Sequence, residues 1–197
     1  MYKYVVSLLI FLMMFPSANA DLMIIDIYSN KLNQLSQNYR FNSPFTKAIT
    51  TYLELGDNLD EQLVKLTSSK ADQFRVHVQY ETSITVMDEG PHLDLIDWKH
   101  CTTEWLQVSE SSPNIFTLPQ ERKINLDCFP SVTSKEIKDA VLKYGGERWA
   151  SLLKDNVDIN TYPLAAAVST IRIRVQRFSG ENWVEDAMIT INVPMGC

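Results

Sequence analysis

The sequence predicts an α+β fold: an antiparallel β-sheet or sandwich, with helices concentrated in the N-terminal third and one helix at about residues 134–154 before a C-terminal β-hairpin. Two stretches of alternating apolar and polar residues predict long strands, because successive side chains of a strand point to opposite faces. A capping box followed by an apolar stripe predicts the helix. Because the sequence contains no internal repeats or low-complexity tracts, we expect a single domain at residues 21–197.

The N-terminus is predicted to be a signal peptide that is cleaved after residue 20. Lys3 provides a positive charge, residues 5–15 are almost entirely apolar, and Ala18 and Ala20 are the small residues that signal peptidase requires. The apolar run is too short for a spanning helix, which needs about 20 residues. We therefore expect an exported protein, secreted or periplasmic, with no membrane span after cleavage.

The first third of the mature chain is predicted to be one strand followed by helices. Residues 22–28 are β-rich and of strand length. Ser29 is a candidate helix cap, Pro44 opens a second helical segment that Gly56 ends, and a third segment begins at Asn58. The apolar residues at helical spacing in the three segments are Leu32, Leu35 and Tyr39; Phe45, Ile49, Tyr52 and Leu53; and Leu59, Leu63 and Leu66.

Two stretches of strict alternation predict the long strands. From residue 73 to residue 86, the even positions are apolar or Thr and the odd positions are polar, which indicates one buried and one solvated face. Such a strand is typical of an antiparallel sheet. Residues 171–176 and 187–193 alternate in the same way on either side of Gly180, which can adopt the turn conformation of a hairpin.

The helix before this hairpin has a local start signal. Thr133 and Glu136 have the spacing of a capping box, and the apolar residues after them recur at helical spacing. The glycines at 145–146 interrupt the pattern. Shorter strands are expected around residues 105–108 and 124–128.

Composition and cysteine content limit the function and the compartment. The chain has 18 basic and 24 acidic residues and a net charge of −6, whereas nucleic-acid binding requires clustered positive charge, so no nucleic-acid partner is expected. Three cysteines allow three different single disulfides, and one disulfide is expected to form in an oxidising compartment. We favour Cys101 with Cys128, because both lie at the edges of strand-like segments, and this leaves Cys197 over. By the loop-entropy estimate, such a disulfide stabilises the folded protein by about 3–4 kcal/mol.

The densest group of possible metal ligands lies at residues 88–100, where the candidates are His92, Asp94, Asp97 and His100. Imidazole and carboxylate groups bind zinc or act as general acids and bases. Their spacing matches no metal motif, and a solvated loop after the long strand is the alternative interpretation. No catalytic residue is assigned. We expect no cofactor, with a divalent metal at this group as the alternative.

Cations and aromatic residues mark a possible partner-facing surface. The candidates on the closing hairpin are Arg172, Arg174, Arg177 and Trp183. They form either a docking strip for an acidic partner or a glycan, or a solvated face whose charges discourage edge pairing. The polar face of the long strand, which carries Arg75, His77 and Glu81, has the same two interpretations. Of the four tryptophans, Trp183 is expected to be partly exposed and the others, Trp105 among them, to pack against the core.

The sequence lacks the nucleophile-elbow, phosphate-loop and Cys-x-x-Cys motifs. It therefore favours a non-enzymatic exported protein that binds another exported or envelope protein, for example as an envelope-assembly accessory factor. The alternative is a metal-binding or hydrolytic enzyme centred on residues 88–100, which requires His92 and His100 to converge. The second alternative is a secreted inhibitor or host-directed factor, which requires a protruding loop held by a disulfide.

Overall fold

The computed structural model is mostly β-sheet, with one helix in the part of the chain that it describes. The described residues are 21–29, 34–43, 48–54, 59–69, 73–120, 128–159 and 161–195. In chain order, the elements are β1 (Asp21–Ser29), β2 (Gln34–Ser43), β3 (Ala48–Tyr52), β4 (Leu63–Ser68), β5 (Phe74–Met87), β6 (His92–Asp94), β7 (Cys101–Thr102), β8 (Leu106–Gln107), β9 (Ser109–Ser112), β10 (Ile115–Thr117), α1 (Ser134–Ala150), β11 (Leu164–Ser179) and β12 (Asn182–Asn192).

The strands form two sheets. The first has the order β2-β1-β4-β10-β9, and all its neighbouring strands are antiparallel. The second has the order β3-β12-β11-β5-β6, and β7 and β8 also pair with β5. Its pairs are antiparallel except for β3 with β12, which is parallel. The predicted antiparallel sheets are therefore confirmed, with one parallel pair at an edge.

The inner faces of the two sheets share one hydrophobic core. Ile25 of β1 and Val64 of β4 belong to the same buried cluster as Val78 of β5, Ile173 of β11 and Ile189 of β12. Each of these five side chains has no exposed surface. The sheets therefore pack face to face as a β-sandwich, in which alternate side chains point inward.

A second buried cluster lies where β5 and β11 extend beyond the first. Ile84 and Leu164 of these strands pack with Ile137 and Val141 of α1. The ladder between β5 and β11 shifts register by one residue between Val168 and Thr170, as expected for a β-bulge. The helix thus covers one end of the long ladder while the first sheet covers the other.

The strands predicted by alternation are confirmed. Residues 73–86 correspond to β5, and the closing hairpin is formed by β11 and β12. Gly180 lies at the turn with φ +67°, in the left-handed region that favours glycine. The predicted short strand at 105–108 is β8, and the first predicted strand is β1.

The predicted helix at about residues 134–154 is confirmed in part, as α1. The Thr133 hydroxyl accepts from the Glu136 N–H at 3.2 Å, and the Thr133 N–H donates to the Glu136 carboxylate at 2.8 Å, so both halves of the capping box are present. The Lys99 ammonium and the two Thr133 donors lower the pKa of Glu136 to about 2. Gly146 interrupts the helix with φ 78° and ψ −174°, and the helix ends at Ala150 rather than near 154.

The helices predicted in the N-terminal third are wrong. The segments that begin at Ser29, Pro44 and Asn58 contain the strands β2, β3 and β4 where the structure describes them. The reason is that residues four apart lie on one face of both a helix and a strand. In β4, Val64 and Leu66 are buried while Lys65 and Thr67 are exposed, which is the two-residue period of a strand.

Some sequence-based predictions lie outside the described residues. They include the signal peptide at 1–20, the helix start at Pro44, the helix end at Gly56, almost all of the strand expected at 124–128, and Cys197. Within the described residues, no helix combines the length and the apolar character that crossing a membrane requires.

Candidate functional site

The outer face of the seven-stranded sheet carries a row of arginine, histidine and tryptophan side chains. The even residues of β5 from Phe74 to Tyr80 lie in the sandwich core, so the odd residues between them, and the residues opposite those on β11, point away from that core. His77 lies directly opposite Arg174, and Arg75 directly opposite Gln176. We call this surface the arginine–tryptophan face; it comprises Arg75, His77, Glu81, Trp105, Arg172, Arg174, Gln176, Phe178 and Trp183.

At the centre of this face, the Arg174 guanidinium stacks on the Trp105 indole. The distance from the guanidinium carbon to the ring centroid is 4.2 Å, within the range of a cation–π interaction. Trp105 directly precedes β8, and β5 lies between β8 and β11, so the indole reaches across β5 to meet Arg174. His77, on the strand that the indole crosses, is only 9% exposed.

A second stacked pair lies towards the tip of the hairpin. The Arg75 guanidinium lies 4.6 Å from the centroid of the Trp183 ring, and Arg75 Nε donates to Gln176 Oε1 at 2.7 Å. Trp183 in turn packs on Phe178, with ring centroids 5.3 Å apart, and Phe178 is 38% exposed. The face therefore ends in an aromatic pair that is partly open to solvent.

The positive charges of the face differ in how they are compensated. Arg172 forms a 2.7 Å ion pair with Glu81, which is itself only 9% exposed. Glu185 lies opposite Gln176 on β12 and is exposed, so one carboxylate borders the Arg75 end. Arg174 forms no ion pair with any described carboxylate. Its guanidinium stacks on the neutral Trp105 ring, so its positive charge is not neutralised by an ion pair within the described residues.

Two buried nitrogen atoms at this centre have no hydrogen-bond partner among the described residues: His77 Nδ1 and Arg174 Nε. Burial lowers the pKa of His77, and the charges of Arg174 and Arg75 lower it further, so the ring is neutral at pH 7. Buried polar atoms in native proteins are nearly always hydrogen-bonded. Two nitrogens that lack such a partner in the described residues therefore lie on directly opposite residues of neighbouring strands.

The predicted partner-facing residues divide between two sides of the ladder. Arg172, Arg174 and Trp183 belong to the arginine–tryptophan face. Arg177 has the opposite parity in β11 and points to the other side, where its Nε lies 3.0 Å from Asp186 and both side chains are largely buried. Trp105 was expected in the core but stacks on Arg174 at the outer face. No local sequence pattern could predict this contact, because β5 lies between the strands of the two residues.

The candidate metal ligands are only partly brought together. His92 and Asp94 lie two residues apart in β6, with Nε2 and Oδ2 3.9 Å apart. The backbone oxygen of Asp97 accepts from the Tyr144 hydroxyl, and His100 is exposed just before β7. Within the described ranges, no group of three or more His, Cys, Asp or Glu side chains has a geometry that could hold a metal ion. The structure thus supplies two neighbouring ligands from the predicted four.

The predicted pairing of Cys101 with Cys128 is confirmed. The two residues form a disulfide with their Cα atoms 5.6 Å apart. Cys101 is buried and lies opposite Thr82 of β5, while Cys128 is exposed and precedes α1. The disulfide therefore ties the edge of the seven-stranded sheet to the segment that leads into the helix.

A surface groove of about 450 Å³ lies along β8, next to residues 117–120. Leu106, Val108 and Leu118 supply apolar walls, and Gln107 lies at its border directly opposite His77.

Comparison of the chain with protein-family models, with curated proteins and with solved structures found no match. The function is therefore inferred from the chemistry of these residues.

Proposed function

We propose that the protein is an exported, non-enzymatic binding protein, secreted or periplasmic, that acts through protein–protein contacts made by its arginine–tryptophan face. The observation that carries this proposal is the pair of arginines, Arg75 and Arg174, each stacked on a tryptophan on one outer sheet face. Arginine and tryptophan are the residue types most enriched among the energetic centres of protein interfaces. Stacking also holds each guanidinium in place, so less side-chain entropy is lost on binding.

The charge pattern favours an acidic segment of another exported or envelope protein as the partner. Arg174 has no carboxylate partner in the described part of the chain, although the whole chain carries a net charge of −6. A local positive centre on an acidic protein gives orientation and specificity rather than general attraction, because like charges elsewhere repel an acidic partner.

The sequence features at the N-terminus and the disulfide support the exported location. Residues 1–20 have the composition of a cleaved signal, and disulfides persist in oxidising compartments. The mass of the protein recovered outside the cytoplasm tests this part of the proposal: a chain that begins at Asp21 is expected. A chain that keeps Met1 would contradict it.

Binding through the face is tested by site-specific photo-crosslinking in the cell that produces the protein. A photoreactive residue at Gln107 or Thr50, both exposed on the outer face, is expected to capture a partner. The same residue at Leu142, which is 50% exposed on α1, serves as the control and is expected not to. The captured protein must then bind the purified chain, and Arg174→Glu must abolish both capture and binding.

Two outcomes would contradict the proposal. In the first, Leu142 captures the same partner as efficiently as Gln107 does, which would place the interface on the helix. In the second, Arg174→Glu leaves the affinity for the captured partner unchanged, so the arginine–tryptophan face has no part in binding.

A further inference from the structure

The centre of the arginine–tryptophan face contains two polar atoms that the fold leaves unpaired. His77 Nδ1 and Arg174 Nε are both buried and lack hydrogen-bond partners in the described residues. His77 is more than nine-tenths buried, and it lies directly opposite Arg174 in the ladder between β5 and β11. A buried polar atom without a hydrogen-bond partner is costly in a folded protein. Arg174 Nε is always a donor and His77 Nδ1 is one when the ring is protonated, so an acceptor group from outside the described chain satisfies both atoms.

We propose that Arg174 and His77 form a binding site for a single carboxylate group supplied by the protein partner. This inference rests on the proposed function and names the chemical group that the face recognises. A carboxylate has two oxygens that accept hydrogen bonds, and a planar guanidinium presents its donors in a fork that matches them. A protonated imidazole adds a further donor beside it.

The charges around His77 determine how such a site responds to pH. Arg75 on the same strand and Arg174 opposite it are cations, Gln107 on β8 is uncharged, and Glu81 is held in its ion pair with Arg172. In the free protein the two cations and the burial lower the pKa of His77. A bound carboxylate offsets that repulsion and raises the pKa of the ring, so binding takes up a proton. Carboxylate affinity is therefore expected to increase as the pH falls.

Trp105 provides an optical signal for the same event. Its half-buried indole covers one face of the Arg174 guanidinium, so a carboxylate that binds the guanidinium comes close to the ring. A carboxylate that reaches both nitrogens therefore changes the environment of this indole. The change in tryptophan emission is expected to disappear in Trp105→Phe.

The test uses the full mature protein and two peptides labelled with a dye that has no carboxylate and does not titrate between pH 5.5 and pH 7.5. One peptide is hexaglutamate with an amidated C-terminus, and the other is a glycine–serine peptide with a free C-terminal carboxylate. Fluorescence anisotropy gives the affinity of each at pH 5.5 and at pH 7.5. At least one peptide is expected to bind about tenfold more tightly at pH 5.5, and which one binds identifies the carboxylate as that of a side chain or of a chain terminus.

Variants assign the effect to the two residues. His77→Gln is expected to remove the pH dependence, and Arg174→Gln to weaken binding about tenfold or more. Lys135→Gln removes the same charge from the exposed surface of α1 and is expected to leave both properties unchanged. If Arg174→Gln fails to fold, Arg174→Lys replaces it: this variant keeps the charge and loses the fork of donors, so weaker binding is again expected.

The inference is overturned if neither peptide binds, if affinity is equal at the two pH values, or if His77→Gln keeps the pH dependence. These failures are distinct from failure of the proposed function. A partner captured at Gln107 whose binding depends on Arg174 but not on pH would retain the protein interface and exclude the carboxylate site. Loss of both would remove the interface as well.

Discussion

Removal of the Cys101–Cys128 disulfide is expected to lower the free energy of unfolding by about 3.5 kcal/mol. The two cysteines are 27 residues apart in sequence. The chain-entropy relation for a loop of this length gives about 12 cal/mol/K, which is about 3.5 kcal/mol at room temperature. For a domain of this size, that loss corresponds to a fall in melting temperature of about 7–14 °C.

The variant for this experiment is Cys101→Ala with Cys128→Ala in a Cys197→Ser background, and the background protein alone is the control. Replacing Cys197 prevents exchange with the third thiol. Equilibrium urea unfolding followed by tryptophan fluorescence measures the difference in free energy between the two proteins. A loss below about 1 kcal/mol would refute the loop-entropy reasoning. Detection of two free thiols in the unreduced background protein would refute the pairing itself.

Three further predictions concern the fold. Gly146→Ala is expected to lower stability by about 1–3 kcal/mol in urea unfolding, because φ 78° with ψ −174° is a region that only glycine adopts readily; an unchanged midpoint would contradict this. Because the pKa of Glu136 is lowered from 4.5 to about 2, the stabilisation by its charged form is present above pH 4.5 and lost as the pH falls towards 2. Glu136→Gln is therefore expected to be less stable than the wild type at pH 7 and equal to it near pH 2 in thermal melts, and a difference that persists at pH 2 would exclude the mechanism. Ile189→Ala, at a fully buried position, is expected to cost about 2–5 kcal/mol in urea unfolding, whereas Val184→Ala, 46% exposed on the same strand, stays within about 0.5 kcal/mol; similar losses would contradict the assigned core.

The elements that could be predicted are those whose signals are local. Residues 73–86 alternate over more than twice the length of a typical strand, and no helix shows that period. The capping box of Thr133 and Glu136 specifies a helix start within four residues. Gly180 lies in the turn of the closing hairpin, whose two strands are neighbours in sequence and pair with each other. In each case the interaction that fixes the structure lies within the segment itself.

The N-terminal strands could not be predicted because their partners are remote. Ile49 and Leu53 are four residues apart, a spacing that suits one face of a helix and equally one face of a strand. What decides for a strand is the parallel pairing of β3 with β12, far along the chain. Short strands gain most of their stability from such partners, so local patterns underdetermine them.

In the candidate site, too, local sequence patterns predict some features and fail to predict others. Arg172, Arg174 and Trp183 could be proposed as partner-facing because the hairpin alternation places polar side chains outward. The position of Arg177 on the other side follows from strand parity alone. The contacts of Arg174 with Trp105 and His77, by contrast, depend on the registers of β11 with β5 and of β5 with β8, which no sequence pattern specifies.

The central claim, that the arginine–tryptophan face binds an acidic protein partner, is tested most directly by one comparison of affinities. Surface plasmon resonance would measure the Kd of the partner captured at Gln107 for the wild type, for Arg75→Gln with Arg174→Gln, and for a control that loses two exposed helix charges, Lys135→Gln with Lys138→Gln. The face variant is expected to bind at least about 100-fold more weakly, and the control within about twofold of the wild type. Equal losses in both variants, or none in either, would show that the partner is held elsewhere on the protein.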